Sequence, residues 1–303
     1  MIQPMRIALA VLLTSAVSVL ADVRHGEELQ RGVNCGLPEG AELEPSAQRV
    51  FAQPEEIVGK LLSSVRTTHE QGTVRFIRCK FVNPGFVPMG GADPATPGTE
   101  PYTVHRAGSG SVELIDCEVH GGRSVAVVGV DRMTRTYIAG GNDLIRVPAG
   151  VSTYIEVLGE RLQMASPESH SDVLQIHFGK DRTEETSQVA SLTLLRCRFD
   201  SRGRLDAEGK SLDLVNAAIQ LGSFGPHTGA EGTITDCYFD GGPFTLNGGN
   251  PGPAGGAFVL RGNRFGPHFQ YGAISPGWRS AHDIDDTNVF ADSDLPATTR
   301  VKK

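Results

Sequence analysis

His170, Asp172, Gln175 and His177 put two imidazoles, a carboxylate and an amide within eight residues of chain. Imidazole titrates closest to neutral pH, so either histidine can serve as a general base or proton donor. A carboxylate beside it orients the ring and favours its protonated form. His170, Asp172 and His177 are therefore the candidate catalytic residues. If Leu174 and Ile176 face inward along a strand, Gln175 and His177 face outward. The same alternation turns Gln220, Thr245 and Asn247 outward in the segments 216–221 and 244–247. Outward amides on successive parallel strands would make a flat polar strip able to hydrogen-bond sugar hydroxyls. Gln175, Gln220 and Asn247 are the candidate substrate-binding residues. Arg123 joins them at the head of another such segment, and Lys210 through a basic run with Arg196, Arg198, Arg202 and Arg204 that would suit a uronate.

A second constellation, His120, Asp200 and Asp240, follows Val119, Phe199 and Phe239 at equivalent places. Two carboxylates on adjacent coils, about 5 Å apart, repel, and they coexist only with calcium, a proton or an arginine between them. Asp200 and Asp240 are thus the candidate metal ligands, and calcium the candidate ion. Such a separation also suits a retaining glycosidase, while Asp followed by Ser or Gly equally begins a turn. No phosphate loop, HExxH pair, nucleophile elbow, CxxC spacing or Asn-x-Ser/Thr sequon is present.

The elements that would position these groups come from a repeat. Eight segments align on the pattern apolar, x, Cys or Asn, x, apolar, with centres at 79, 117, 142, 160, 197, 237, 263 and 288, of which only 160 carries another residue, Glu. Several steps lie near 25 residues, the length of one solenoid coil, and the longer ones carry insertions. This predicts an all-β, right-handed parallel β-helix. Cys79, Cys117, Cys197 and Cys237 then point inward as a core ladder, in competition with two disulfides; Cys35 lies outside the ladder. Outward residues beside the ladder alternate in sign: Arg78 and Lys80, Asp116 and Glu118, Arg196 and Arg198, then Asp236. Cross-coil ion pairing would follow. Ile57, Val58, Leu61, Leu62 and Val65 recur at helical spacing behind Pro54, Glu55 and Glu56, which predicts a short N-terminal helix capping the open end.

Residues 1–21 read as a cleavable signal peptide, with Arg6, an apolar stretch from Ile7 to Leu20, and Ala21 at the cleavage position. The chain then divides into an N-terminal segment 22–71, a solenoid 72–290 and a tail 291–303. Proline-rich 83–101 and the charged stretches 180–188 and 201–211 project as loops. The formal charge of −7 and pI near 5.7 give no basic footprint for nucleic acid, and the apolar run is too short for a membrane span.

Segments 170–175, 216–220, 239–245, 263–266 with Tyr271-Gly272, and 288–290 together resemble the pectate-lyase-like superfamily, in its secreted bacterial members; His170-x-Asp172-x-x-Gln175 is similar to that group's His-x-Asp-x-x-Gln segment. The resemblance spans about Gly72 to Phe290. It implies a carbohydrate substrate, because enzymes of that superfamily include polysaccharide lyases, glycosidases and uronate epimerases. The lyase arrangement of an acidic calcium cluster with a basic residue has no residue-by-residue match here. The expectation is an exported, monomeric polysaccharide lyase acting on an acidic polymer by β-elimination. The alternatives are a non-catalytic glycan-binding or cell-surface protein and a glycosidase or epimerase.

Overall fold

The computed structural model describes residues 23–83, 101–122, 124–163, 170–178, 188–202, 215–222 and 224–298. Its strands form one ten-stranded and two nine-stranded sheets, and neighbours within each sheet are parallel. In the central coils the chain visits the three sheets in turn, as in Thr73–Ile77, Lys80–Val82 and Tyr102–Arg106, and then advances one rung. This is a right-handed parallel β-helix. The three sheets are called here the entry sheet, the ladder sheet and the strip sheet, in the order of those three strands.

A left-handed residue makes the corner from entry sheet to ladder sheet. Arg78, Asp116, Arg135, Glu156, Arg196 and Asp236 all have φ between 45° and 56°, and strand register stacks them on successive rungs. The corner resets the side-chain alternation. Ile77, Ile115 and Leu195 are consequently half-buried outside it, while Cys79, Cys117 and Cys197 are fully buried just inside. Side chains outside the corner alternate in charge and pair across rungs. Arg135 donates to both oxygens of Asp116 at 2.5 and 3.1 Å, and Arg196 donates to Glu156 at 2.9 and 3.1 Å. Among the described residues Arg78 makes no such pair, so nothing there offsets its left-handed backbone, a strain of about 1–2 kcal/mol. Arg78→Gly is expected to stabilise the fold by about 0.5–1 kcal/mol after the entropy glycine adds to the unfolded chain; a lowered denaturation midpoint would contradict this.

Inside the corner, the four ladder cysteines are free and have no exposed surface, with thiols directed at backbone carbonyls such as Phe76 O and Ile77 O. Further along, Asn263 and Asn288 take over the ladder. Asn263 accepts from Cys237 N at 2.9 Å and donates to Asn288 Oδ1 at 2.8 Å, so each amide satisfies backbone that a corner leaves unpaired. Two of the eight repeat copies are misplaced. The rungs between Cys117 and Cys197 carry Thr136 and Val157, not Asn142 and Glu160. Thr136 fills the ladder position with a hydroxyl hydrogen-bonded to Leu114 O, and Val157 fills it with bulk alone.

The N-terminal helix is not formed. Glu55–Val58, Lys60–Leu62 and Val65–Thr67 are the three strands of an ordinary coil. Ile57, Leu62 and Val65 point into the core, and turns at Gly59 (φ 64°) and Ser63-Ser64 space them as a helix face would. Ahead of this coil, residues 23–43 run as a strap over the outer face of the ladder sheet. Leu29 and Cys35 pack there on Tyr137, Ala139 and Leu158, Gly36 N donates to Arg135 O, and Arg31 grips Glu118 through two 2.8 Å bonds. At the other end, the one α-helix among the described residues, Pro276–Ala281, drives Trp278 into the core, and the chain beyond Phe290 turns back to bury Ala297. No helix among the described residues is long and apolar enough to cross a membrane.

Candidate functional site

The strip sheet carries the polar residues. Register places Arg146, Gln175, Gln220 and Asn247 on four successive rungs of one outward column, about 4.8 Å apart. The expected amide strip exists, and Arg146 extends it. Thr245 does not belong to it: this residue is fully buried with Leu246, because the strand Phe244–Asn247 turns only its two end residues outward.

Beneath the strip lie two stacked carboxylates. Asp143 stands three residues before Arg146, and Asp172 three residues before Gln175; Asp172 N donates to Asp143 Oδ1 at 3.1 Å. Asp172 has no exposed surface and Asp143 only 5%. Burial pushes the Asp143 carboxyl up to about 6, against the pull of the Asp172 amide and Arg146. Burial, and then the neighbouring Asp143, hold the Asp172 carboxyl well above its ordinary range. Two buried carboxylates at one rung spacing cannot both ionise cheaply, so the pair retains a proton near neutral pH.

A chain of hydrogen bonds ties this pair to the strip. Arg146 donates to Gln175 Oε1 at 3.0 Å, and Asn216 Nδ2 lies 2.9 Å from Asp172 Oδ1 and 3.0 Å from Gln220 Oε1. Asn247 in turn donates to Asn216 Oδ1 at 3.2 Å. Asn216 reaches Asp172 because the ladder register slips at Ser171/Asp172, which inserts one extra residue opposite. Asp143, Arg146 and Asn216 were not among the residues expected to form the site.

The two histidines do not converge. His170 precedes the strand Ser171–Ile176 and His177 follows it, so seven residues at strand rise separate them by roughly 20 Å. Both are exposed. His170 lies close enough to Asp143 to favour its charged form, whereas the His177 ring lies over Gly222. His170 and Asp172 therefore belong to one cluster and His177 stands apart from it. Arg123 and Lys210 lie outside the described residues, as do 84–100, 179–187 and 203–214, which hold most of the segments expected to project as loops.

Asp200 and Asp240 do stack, in register on the ladder sheet. Arg202 is what lets them coexist: its guanidinium grips both oxygens of Asp200 and lies 3.5 Å from Asp240. These hydrogen bonds with Asp200 are the main reason the Arg202 pKa rises, with burial opposing. Asp240 also accepts from Gly241 N at 2.9 Å and His268 N at 3.0 Å, and meets His268 Nδ1 at 2.7 Å. Its oxygens are saturated by donors, which does not fit a calcium site. Among the described residues no group of three or more His, Cys, Asp or Glu is placed to hold a metal ion. His120 shares this column three rungs before Asp200, with Ala139 and Glu160 between them, and its Nε2 lies 2.8 Å from Glu118.

The fold and the cluster define a parallel β-helix protein with a buried carboxyl pair under an amide strip. No protein-family model, curated protein or solved structure matches the chain.

Proposed function

We propose that the chain is an exported enzyme that cleaves an acidic polysaccharide laid along the strip sheet. The observation that carries this reading is the stacked pair Asp143 and Asp172, proton-bearing near neutrality and bonded through Asn216 and Gln175 to aligned outward amides. A carboxyl that keeps its proton is a general acid for the glycosidic oxygen, and its ionised neighbour, one rung of about 4.8 Å away, suits the short separation of retaining glycoside hydrolases. Gln175, Gln220 and Asn247 would fix sugar hydroxyls, and Arg146 would meet a uronate carboxylate. Export is inferred from the signal-like residues 1–21.

β-Elimination is the second reading, favoured by Arg146 beside Gln175 and by the position of His170. There Arg146 neutralises the uronate carboxylate and His170 takes the C5 proton, while the C4–O bond breaks to form a C4–C5 double bond and the departing oxygen takes a proton from the carboxyl pair or water. The test incubates the protein without residues 1–21 with pectin, alginate, glycosaminoglycans and bacterial exopolysaccharides, following new reducing ends and the ultraviolet absorbance of unsaturated uronates. Reducing ends without absorbance mean hydrolysis; both together mean elimination. Binding without either product would make the strip a glycan-binding surface and overturn the enzyme reading.

A further inference from the structure

We propose that Phe244 and Tyr271 form a stacking platform for a pyranose ring of the polysaccharide, on the rung of Asn247 and the one after it; this rests on reading the strip as a glycan track. Aromatic residues make up only 6% of the chain, and the large ones are mostly sealed in the core. Tyr271 breaks that pattern. It is 68% exposed and the only aromatic among the exposed large apolar residues described.

Its ring lies 5.7 Å from that of Phe244, tilted by 48°. Both rings are set by the sheet. Tyr271 N donates to Pro243 O at 2.8 Å, and Phe244 pairs with Gly272 in register. The Phe244 ring packs beside Gly272, 3.5 Å from where a Cβ would stand.

Position on the sheet points to the ligand. Phe244 shares its rung position with Ala217 and Asp172, so the platform lies about two rungs, or roughly 10 Å, from the carboxyl pair. It is on the same rung as Asn247, the last amide of the strip. A pyranose has polar edges and an apolar face of C–H bonds. Amides on one side and ring faces on the other complement both parts of it, and a tyrosine supplies rigid contact area at small entropic cost.

The test is affinity electrophoresis through gels carrying polygalacturonate, alginate, hyaluronan or chondroitin sulfate, with Asp143→Asn present throughout to prevent cleavage. Tyr271→Ala is expected to weaken binding to the retarding polymer at least tenfold, and Tyr271→Phe to stay within about twofold, because the ring and not the hydroxyl makes the contact. Melting temperature checks folding, which an exposed residue should hardly alter. Equal affinity of Tyr271→Ala and its parent would overturn the platform and leave the cleavage reading standing. No retardation of the parent by any polymer, with no cleavage by the wild type, would overturn both.

Discussion

Asp143→Asn is expected to abolish glycan cleavage while making the protein more stable at pH 8. The two effects have one cause. Burial holds the Asp143 carboxyl at about 6 in the folded chain, above its ordinary 3.8 when unfolded. A raised folded pKa contributes stability that is fully present below the unfolded value and is lost as pH rises through the folded one. Wild-type stability should therefore fall between about pH 4 and 6, by up to roughly 3 kcal/mol for a shift of about two units. Asparagine keeps an oxygen for the Asp172 amide, now 3.1 Å from Asp143 Oδ1, and cannot ionise. Urea denaturation of the variant should show little of that slope, near wild-type stability at pH 4, and a gain at pH 8. Turnover should drop by at least 10²–10⁴, because the variant removes one member of the acid and carboxylate pair. An unchanged slope would mean that the pair carries no trapped proton; an unchanged rate would remove Asp143 from the chemistry.

The ladder was legible in the sequence wherever its residues are chemically unusual. Cysteine and asparagine repeating between apolar neighbours mark an inward position, and Cys79, Cys117, Cys197, Cys237, Asn263 and Asn288 all occupy it. Thr136 and Val157 carry no such mark. Asn142 and Glu160 stand in their place in the sequence pattern, and the first of these misregistrations hides Asp143 directly after it. The left-handed corner gave no signal because Arg, Asp and Glu hold it where Gly or Asn is usual. The helical spacing of residues 57–65 arises because three short strands and two turns present inward side chains five and three residues apart. Gln175, Gln220 and Asn247 needed only period two to be found. Asn216 needed a register slip between coils, a property of two strands together that neither segment shows alone.

Removing the guanidinium of Arg202 is the substitution expected to cost most stability. Asp200 and Asp240 stack in register with 5% and 0% exposure, and at neutral pH their repulsion is offset by Arg202, itself only 22% exposed at the side chain. Arg202→Ala leaves two buried carboxylates facing one another, a loss of about 3–5 kcal/mol for breaking a buried ion pair. A second change separates lost charge balance from lost packing. Asp200→Asn in the Arg202→Ala background removes the repulsion and should restore about 1–3 kcal/mol, although Asp200→Asn alone destabilises by unpairing Arg202. Additive losses in the double variant would show that the carboxylates do not interact and that Arg202 serves the fold only through its bulk.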